Sequence, residues 1–284
     1  GVGALLVPFP HAVDDHQMQN ARYLVDNGAA LLLPQGELDA RLAAELQALL
    51  GPDARARLLR MAQAARELGR PDATGRVVEH CLEAGASRVY VLDHTIDTWH
   101  LAYQSTGMER YAKAAGARLV PGNSESLYQN VTVPGGITLK STQVHEAVLE
   151  SVVLINVPIL KDHGSTGITA ALKNLMGLVW NRWYYHGHGL NQCIADFPRF
   201  RAPDLNVIDA HVVMTEGGPR GSSARANLVE KKMQILSPDI VAADAAAALT
   251  FGTQPERIRH IPLAAEHGLG TMDLDGLRVR RIDL

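Results

Sequence analysis

The chain has little cysteine, no large excess of either charge and no long apolar run, and each shortage excludes a class of protein. Two cysteines in 284 residues cannot hold a four-cysteine iron–sulfur cluster or a cysteine-rich zinc site. A net charge of -3, with scattered Lys and Arg, argues against a nucleic-acid-binding surface. No apolar run approaches the roughly 18 residues of a membrane span. We therefore expect a cytoplasmic protein with no membrane span, no nucleic-acid partner and no iron–sulfur cluster within this chain.

Predicted strands and helices alternate along the sequence, and this alternation indicates the fold class. Apolar runs such as "SRVYVLD" and "VVLINVPIL" are typical of buried strands, and Leu and Ala recur at helical spacing between such runs. A strand that is apolar on both faces is typical of a parallel sheet covered by helices. The sequence therefore predicts an α/β fold with a mainly parallel sheet, helices on both faces and Rossmann-like units.

The stretch "INVPILKDHGSTGITAALKNLMG", residues 155–177, carries the clearest candidate site. A predicted strand runs into a Gly/Ser/Thr turn, and the apolar spacing after it predicts a helix over residues 166–179. Helix N-termini attract anions, and ligands of open α/β sheets bind at the carboxyl ends of strands. The predicted anion site consists of Lys161, Ser165, Thr166 and Lys173, and the candidate catalytic residues are Lys161, His163, Lys173 and Asn174. The alternative is that the hydroxyls only cap the helix and the lysines are solvated.

Histidines form a second constellation further along the chain. His186 and His188 flank one glycine in an aromatic-rich segment, and Asp209 lies on a later predicted strand. Imidazole together with carboxylate suits a divalent transition metal, although no diagnostic spacing such as HExxH is present. A metal held by His186, His188 and Asp209 is therefore a second candidate. The alternative is that these are ordinary surface or core histidines.

The motif "TEGGPRG" predicts a glycine-rich turn after a strand. Glu216 and Arg220 in this turn are predicted to face the same cleft as His163 and to contact the substrate. The alternative is that the glycines serve the turn alone.

Two family resemblances divide the chain. "GVGALLVPFPHAVDDHQMQNARYLVDNGAALLLPQ" and "RMAQAARELGRPDAT" resemble the C-terminal end of the MurG family of peptidoglycan N-acetylglucosaminyltransferases. That resemblance implies a UDP-sugar site, with His16 and Gln17 at the positions that touch the sugar nucleotide. The sequence lacks that family's acceptor-binding domain and glycine-rich loops, so transfer activity is not expected. Residual UDP-N-acetylglucosamine binding is one alternative function.

The second resemblance covers about residues 76–284. "LEAGASRVYVLD", "VIDAHVVMTEGGPRG", "SPDIVAADAAAA" and the stretch of residues 155–177 resemble the family catalogued as domain of unknown function 362. Members often occur with ferredoxin-type iron–sulfur modules, which implies a link to redox metabolism and a redox partner protein. We therefore predict a glycosyltransferase-like fragment over residues 1–75 and a domain of this second family over residues 76–284.

The leading functional hypothesis is an enzyme-like protein that binds a small anionic ligand, a divalent metal or both at strand ends. The sequence does not indicate the reaction, and whether the chain is an enzyme stays open. The alternative from another class is a non-catalytic fusion in which both parental activities are lost.

Overall fold

A computed structural model describes residues 4–8, 21–22, 24–51, 54–68, 72–219 and 227–282. The chain forms two compact units, Gly1–His80 and Cys81–Leu284. Among the described residues, no helix is both long enough and apolar enough to cross a bilayer.

The first unit contains one pair of parallel strands and a run of helices. Strands β1 (Ala4–Leu6) and β2 (Ala30–Leu32) pair in parallel. The helices that follow are α1 (Leu38–Leu50), α2 (Ala54–Leu68) and α3 (Ala73–Glu83). Their positions agree with the predicted helices because Leu and Ala recur there at helical spacing.

The second unit begins with a βαβ crossover, which is followed by a hairpin. Its parallel strands are β3 (Tyr90–Asp93) and β4 (Arg118–Pro121), and the crossover between them holds α4 (Trp99–Ser105) and α5 (Met108–Ala114). The hairpin strands β5 (Tyr128–Thr132) and β6 (Ser141–His145) flank a Pro-Gly-Gly turn, and α6 (Glu146–Glu150) follows.

The largest sheet of the second unit is mixed. Its order is β11-β10-β8-β9, and β7 also pairs with β10. Strand β10 runs parallel to β7 and β8, whereas β9 and β11 return antiparallel to their neighbours. The strands are β7 (Ile155–Asn156), β8 (Ile159–His163), β9 (Gly167–Thr169), β10 (Leu205–Glu216) and β11 (Asn227–Ser237). Helices combined with several parallel strand pairs confirm the α/β class.

The remaining helices contribute to the core of this unit. They are α7 (Ala171–Asn174), α8 (Arg182–Gly187), α9 (Leu190–Asp196), α10 (Ile240–Phe251) and α11 (His260–Glu266). Helix α10 begins after Asp239, because Asp239 accepts hydrogen bonds from the backbone N–H groups of Val241 and Ala242. Its buried side packs into one hydrophobic cluster with Leu160 and Ile208 of the sheet.

The predicted helix over residues 166–179 is wrong. The chain first forms β9, which pairs back onto β8 with Lys161 opposite Thr169. Only then does it form the four-residue helix α7, followed by a 3-10 turn at Leu175–Leu178. Gly167 has a φ of 77°, a left-handed value that suits a hairpin and would interrupt a helix. The segment of residues 180–200, predicted to be irregular, instead contains α8 and α9.

Candidate functional site

Three basic side chains meet near the carboxyl ends of β3 and β8. Lys161 lies on β8, Lys173 on α7 and Arg182 at the start of α8. Burial, together with the positive charges of Arg182 and Lys161, lowers the pKa of Lys173 to about 8. Within the described part of the chain, none of the three forms an ion pair. We call Lys161, Lys173 and Arg182 the cation cluster.

One carboxylate, Asp93, accompanies the cation cluster at the end of β3. The residue is open to solvent, yet surrounding protein atoms desolvate its carboxyl group and raise its pKa. The charges of Arg182, His94 and Lys161 act in the opposite direction. Solvent access combined with desolvation is typical of a group that lines a cleft, and electrostatic coupling to Arg182 and Lys161 places Asp93 beside the cluster.

Buried contacts attach Arg182 to the end of β3. Its guanidinium Nη1 donates a hydrogen bond of 2.9 Å to the backbone oxygen of His94. The His94 ring stacks on Trp180 with centroids 5.3 Å apart, and its Nδ1 lies 2.9 Å from the oxygen of Val179. Burial is the main cause of the lowered pKa of His94, so this ring is neutral and structural at pH 7. Trp180 therefore packs against the strand end rather than forming a free pocket wall.

Polar groups hold α7, the helix that carries Lys173, at both ends. The buried Asp244 accepts hydrogen bonds from the N–H groups of Ala171 (2.6 Å) and Leu172 (3.2 Å). At the other end, the Asn174 amide donates to Asn156 Oδ1 at 2.8 Å. Asp244 therefore occupies the first N–H groups of this short helix, and no helix begins at the predicted place, residue 166, where the chain forms β9 instead.

His163 lies beside the cluster as a neutral ring. Burial lowers its pKa to about 4, with further contributions from the charges of Lys173 and His186. Its Nδ1 accepts a hydrogen bond of 3.2 Å from the N–H of Ser165. At pH 7, His163 therefore offers an anion a hydrogen bond from Nε2 but no charge.

Comparison with known proteins identifies the part of the chain that contains this cluster. The sequence model of the family described as "Domain of unknown function (DUF362)" matches residues 61–249, which is more than half of the chain. The chain belongs to the DUF362 family. The cation cluster and Asp93 lie inside the DUF362 match. The model of the "Glycosyltransferase family 28 C-terminal domain" matches residues 1–77.

Curated relatives resemble the N-terminal part. Proteins named "UDP-N-acetylglucosamine--N-acetylmuramyl-(pentapeptide) pyrophosphoryl-undecaprenol N-acetylglucosamine transferase" from Marinobacter nauticus and Alkalilimnicola ehrlichii are 58% and 61% identical to this chain over 84 residues. The matches cover 30% and 29% of this chain, and 23% of each relative. The chain therefore spans about a quarter of the length of these relatives.

Two hydroxyls predicted to bind the ligand lie in the β8–β9 hairpin turn of the DUF362 part. Thr166 is buried, and its Oγ1 donates a hydrogen bond to the oxygen of Ile168 at 3.0 Å. Ser165 is exposed next to it. Neither residue caps a helix, so their predicted role at a helix N-terminus is wrong. Thr166 instead stabilises the turn.

The residues predicted to bind a metal are not gathered into one site. Among the described residues, no group of three His, Cys, Asp or Glu side chains is placed to hold a metal ion. The His188 ring stacks on Tyr184 with centroids 4.0 Å apart, and Asp209 accepts a hydrogen bond from the N–H of His211. His186 lies nearer to the cluster. Burial is the main cause of its lowered pKa, and the charges of Lys173 and Arg182 lower the pKa as well.

The predicted glycine-rich turn does lie beside the end of β8. The N–H of Gly218 donates a hydrogen bond of 2.9 Å to Asp162 Oδ2, next to Lys161 and His163 in the sequence. Glu216 is exposed at the end of β10. Three other predicted contacts lie outside the described residues, and these are His16, Gln17 and Arg220.

Sequence reasoning left Arg182 out of the site and treated Asp93 only as a further carboxylate at a strand end. Asp93 does end a strand of a parallel pair, where the rule that ligands bind at strand carboxyl ends applies. Arg182 is surrounded in the sequence by aromatic residues, and no local pattern signals its bond to His94. A cavity of about 470 Å³ elsewhere in this unit, lined by residues such as Lys113 and Arg118, includes none of these side chains.

Proposed function

We propose that this chain binds a small anionic ligand, of the phosphate-bearing class, through Lys161, Lys173 and Arg182. The observation that supports the proposal is the meeting of three basic side chains that lack acidic partners among the described residues. Like charges that lie close together where protein atoms exclude water raise the free energy of the unliganded protein. An anion that enters the cleft removes this repulsion and gains charge-assisted hydrogen bonds.

The charges also suggest how many negative charges the ligand carries. Lys161, Lys173 and Arg182 contribute three positive charges and Asp93 one negative charge, while His163 is neutral at pH 7. The remaining excess of about two positive charges matches a phosphate monoester dianion better than a monocarboxylate. The guanidinium plane of Arg182 can also pair with two phosphate oxygens at once.

Isothermal titration with phosphate and pyrophosphate tests the proposal. We expect binding that weakens with salt, and about a tenfold or greater loss of affinity in Lys173→Met and Lys161→Met, as expected for losing a hydrogen bond to a charged group. Lys231→Met is the matched control, because Lys231 is an exposed lysine on β11 of the same unit. Equal affinity in all three variants would count against the cation cluster as the binding site.

A second proposal concerns the N-terminal part. Its support is the 58% identity, over 84 residues, to a relative named as an N-acetylglucosamine transferase that uses a UDP-sugar. The proposed activity is residual binding of UDP-N-acetylglucosamine without transfer. Titration of this sugar nucleotide into the wild type and into His16→Ala tests it. A chain that binds neither phosphate nor the sugar nucleotide would instead fit a non-catalytic fusion.

A further inference from the structure

The carboxylate of Asp93 has acceptor capacity that the described part of the protein does not use. Its backbone is fixed, because the Tyr103 hydroxyl lies 2.8 Å from the Asp93 N–H and 3.1 Å from the Asp93 oxygen. Its side chain, in contrast, accepts no hydrogen bond from the described residues and forms no ion pair with them. The strand end therefore presents an exposed aspartate whose backbone is held in place and whose carboxylate lacks a hydrogen-bond partner among the described residues.

A glycine keeps the approach to this carboxylate open. Gly177 lies in the 3-10 turn after α7, and a Cβ atom placed on it would lie 3.3 Å from Asp93 Oδ1. A Cβ on Gly122, the residue after β4, would lie 2.7 Å from the backbone oxygen of Asp93, so the chain approaches closely there. Any larger residue at Gly177 would reduce the space beside the free oxygen.

An anion without a hydrogen-bond donor would be both attracted and repelled at this site. Lys161, Lys173 and Arg182 attract it, but Asp93 repels it and would also lose hydration without gaining a partner. A ligand that carries a hydrogen-bond donor next to its anionic group resolves the conflict, because the donor gives Asp93 the hydrogen bond that it lacks.

We propose that the ligand of this site combines a phosphate group with a neighbouring hydroxyl or ammonium group, the phosphate contacting the cation cluster and the donor contacting Asp93. This inference rests on the proposed function, since it assumes that an anion binds at the cluster. It makes Asp93 the specificity-determining residue and Gly177 the residue that keeps Asp93 accessible. Hydroxylated or aminated phosphate esters are the substrate class that it names.

The test compares phosphate esters that differ in their donor groups. Ethyl phosphate, 2-hydroxyethyl phosphate, 2-aminoethyl phosphate and glycerol 3-phosphate are titrated into the wild type. We expect at least one donor-bearing ester to bind about tenfold more tightly than ethyl phosphate. Equal or tighter binding of ethyl phosphate overturns the inference and leaves the proposed function standing. Failure of all four esters to bind overturns both.

Two variants sharpen the comparison. Asp93→Asn should strengthen binding of ethyl phosphate by removing a repulsive charge, and should weaken binding of the preferred donor-bearing ester. Asp97→Asn, at an aspartate four residues further along, is the matched control and should change neither affinity. Gly177→Ala should reduce the preference without changing any charge, so it tests the inference even if the Asp93 variant folds poorly. An unchanged preference in both Asp93→Asn and Gly177→Ala overturns the assignment.

Discussion

Asp244 and Asp196 are two fully buried aspartates that share two kinds of contact at different places in one unit. Each accepts hydrogen bonds from two consecutive backbone N–H groups, and each lies beside a histidine. For Asp244 the N–H groups are those at the start of α7, and His260 Nε2 lies 3.7 Å from its Oδ2. For Asp196 they belong to Thr138 and Leu139, with His267 Nε2 at 2.7 Å from Oδ1.

This correspondence provides a test of whether α7 positions Lys173. Both Asp244→Asn and Asp196→Asn should lower the free energy of unfolding by about 2–4 kcal/mol, because each leaves a buried N–H without a charged acceptor. Only Asp244→Asn should also weaken phosphate binding, since only Asp244 holds the helix that carries Lys173. Urea unfolding and phosphate titration measure the two effects. A similar loss of affinity in both variants would indicate a general loss of structure instead.

Phosphate affinity should fall as the pH rises from 7 to 9. Lys173 has a pKa lowered to about 8, so its ammonium group loses its proton within this range and no longer attracts an anion. Titrations at several pH values measure the change, and Lys173→Met should give a flatter profile. A wild-type profile that is flat up to pH 9 would show that Lys173 does not contact the ligand.

The lowered pKa of Lys173 also makes the free energy of unfolding depend on pH. Between the folded pKa of about 8 and the ordinary lysine value, the unfolded chain holds more protons at Lys173 than the folded chain does. Stability therefore gains a contribution from this residue as the pH rises through that range. Lys173→Met should remove that contribution.

His163 should make the protein less stable in mild acid. Its folded pKa is about 4, below the ordinary value of 6.5, so the unfolded chain takes up the proton first as the pH falls. The contribution to stability therefore declines from about pH 6.5 towards pH 4. Urea unfolding at pH 7 and pH 5 measures this, and His163→Gln should show a smaller difference between the two. His188→Gln, at an exposed histidine, should behave like the wild type.

Gly218 should tolerate no side chain. A Cβ atom on Gly218 would lie 1.8 Å from the backbone oxygen of Asp162, so the turn after β10 or the end of β8 would have to move. Gly218→Ala should therefore lower stability by about 1–3 kcal/mol, the usual range for overpacking. Gly164→Ala is the matched control, because nothing lies within 4 Å of a Cβ built on Gly164. Thermal unfolding compares the stability of the two variants, and equal melting temperatures would contradict the expectation.

Local signals predicted the parts of the fold that local interactions determine. Asp239 caps α10 through hydrogen bonds to residues two and three positions later, and the sequence alone indicates this. The apolar residues at helical spacing over 168–179 are all buried, although the helix was wrong: Ile168, Leu172, Leu175, Met176 and Val179. Burial of one side does not distinguish a helix from a strand followed by two short turns.

Long-range contacts determine what the sequence did not reveal. The N–H of Ala171 reaches Asp244 across 73 residues, and this contact fixes where α7 begins. The guanidinium of Arg182 reaches the oxygen of His94 across 88 residues. No periodicity or spacing encodes either contact, so Arg182 was missed and the helix start was misplaced. The ligand-binding role predicted for Lys161 and Lys173 stays a prediction.

The position of helix α3 has a consequence for how two unrelated coding segments could be joined. The boundary between the compact units, after His80, falls inside the helix Ala73–Glu83, and the two family matches overlap over residues 61–77 just before it. Gly75 and Val78 are buried and recur at a spacing of three, which keeps them on one side of the helix. Inserting one residue between them would move one of the two by about 100° around the helix axis, away from the buried side. A viable join at this place therefore has to preserve helical phase as well as reading frame.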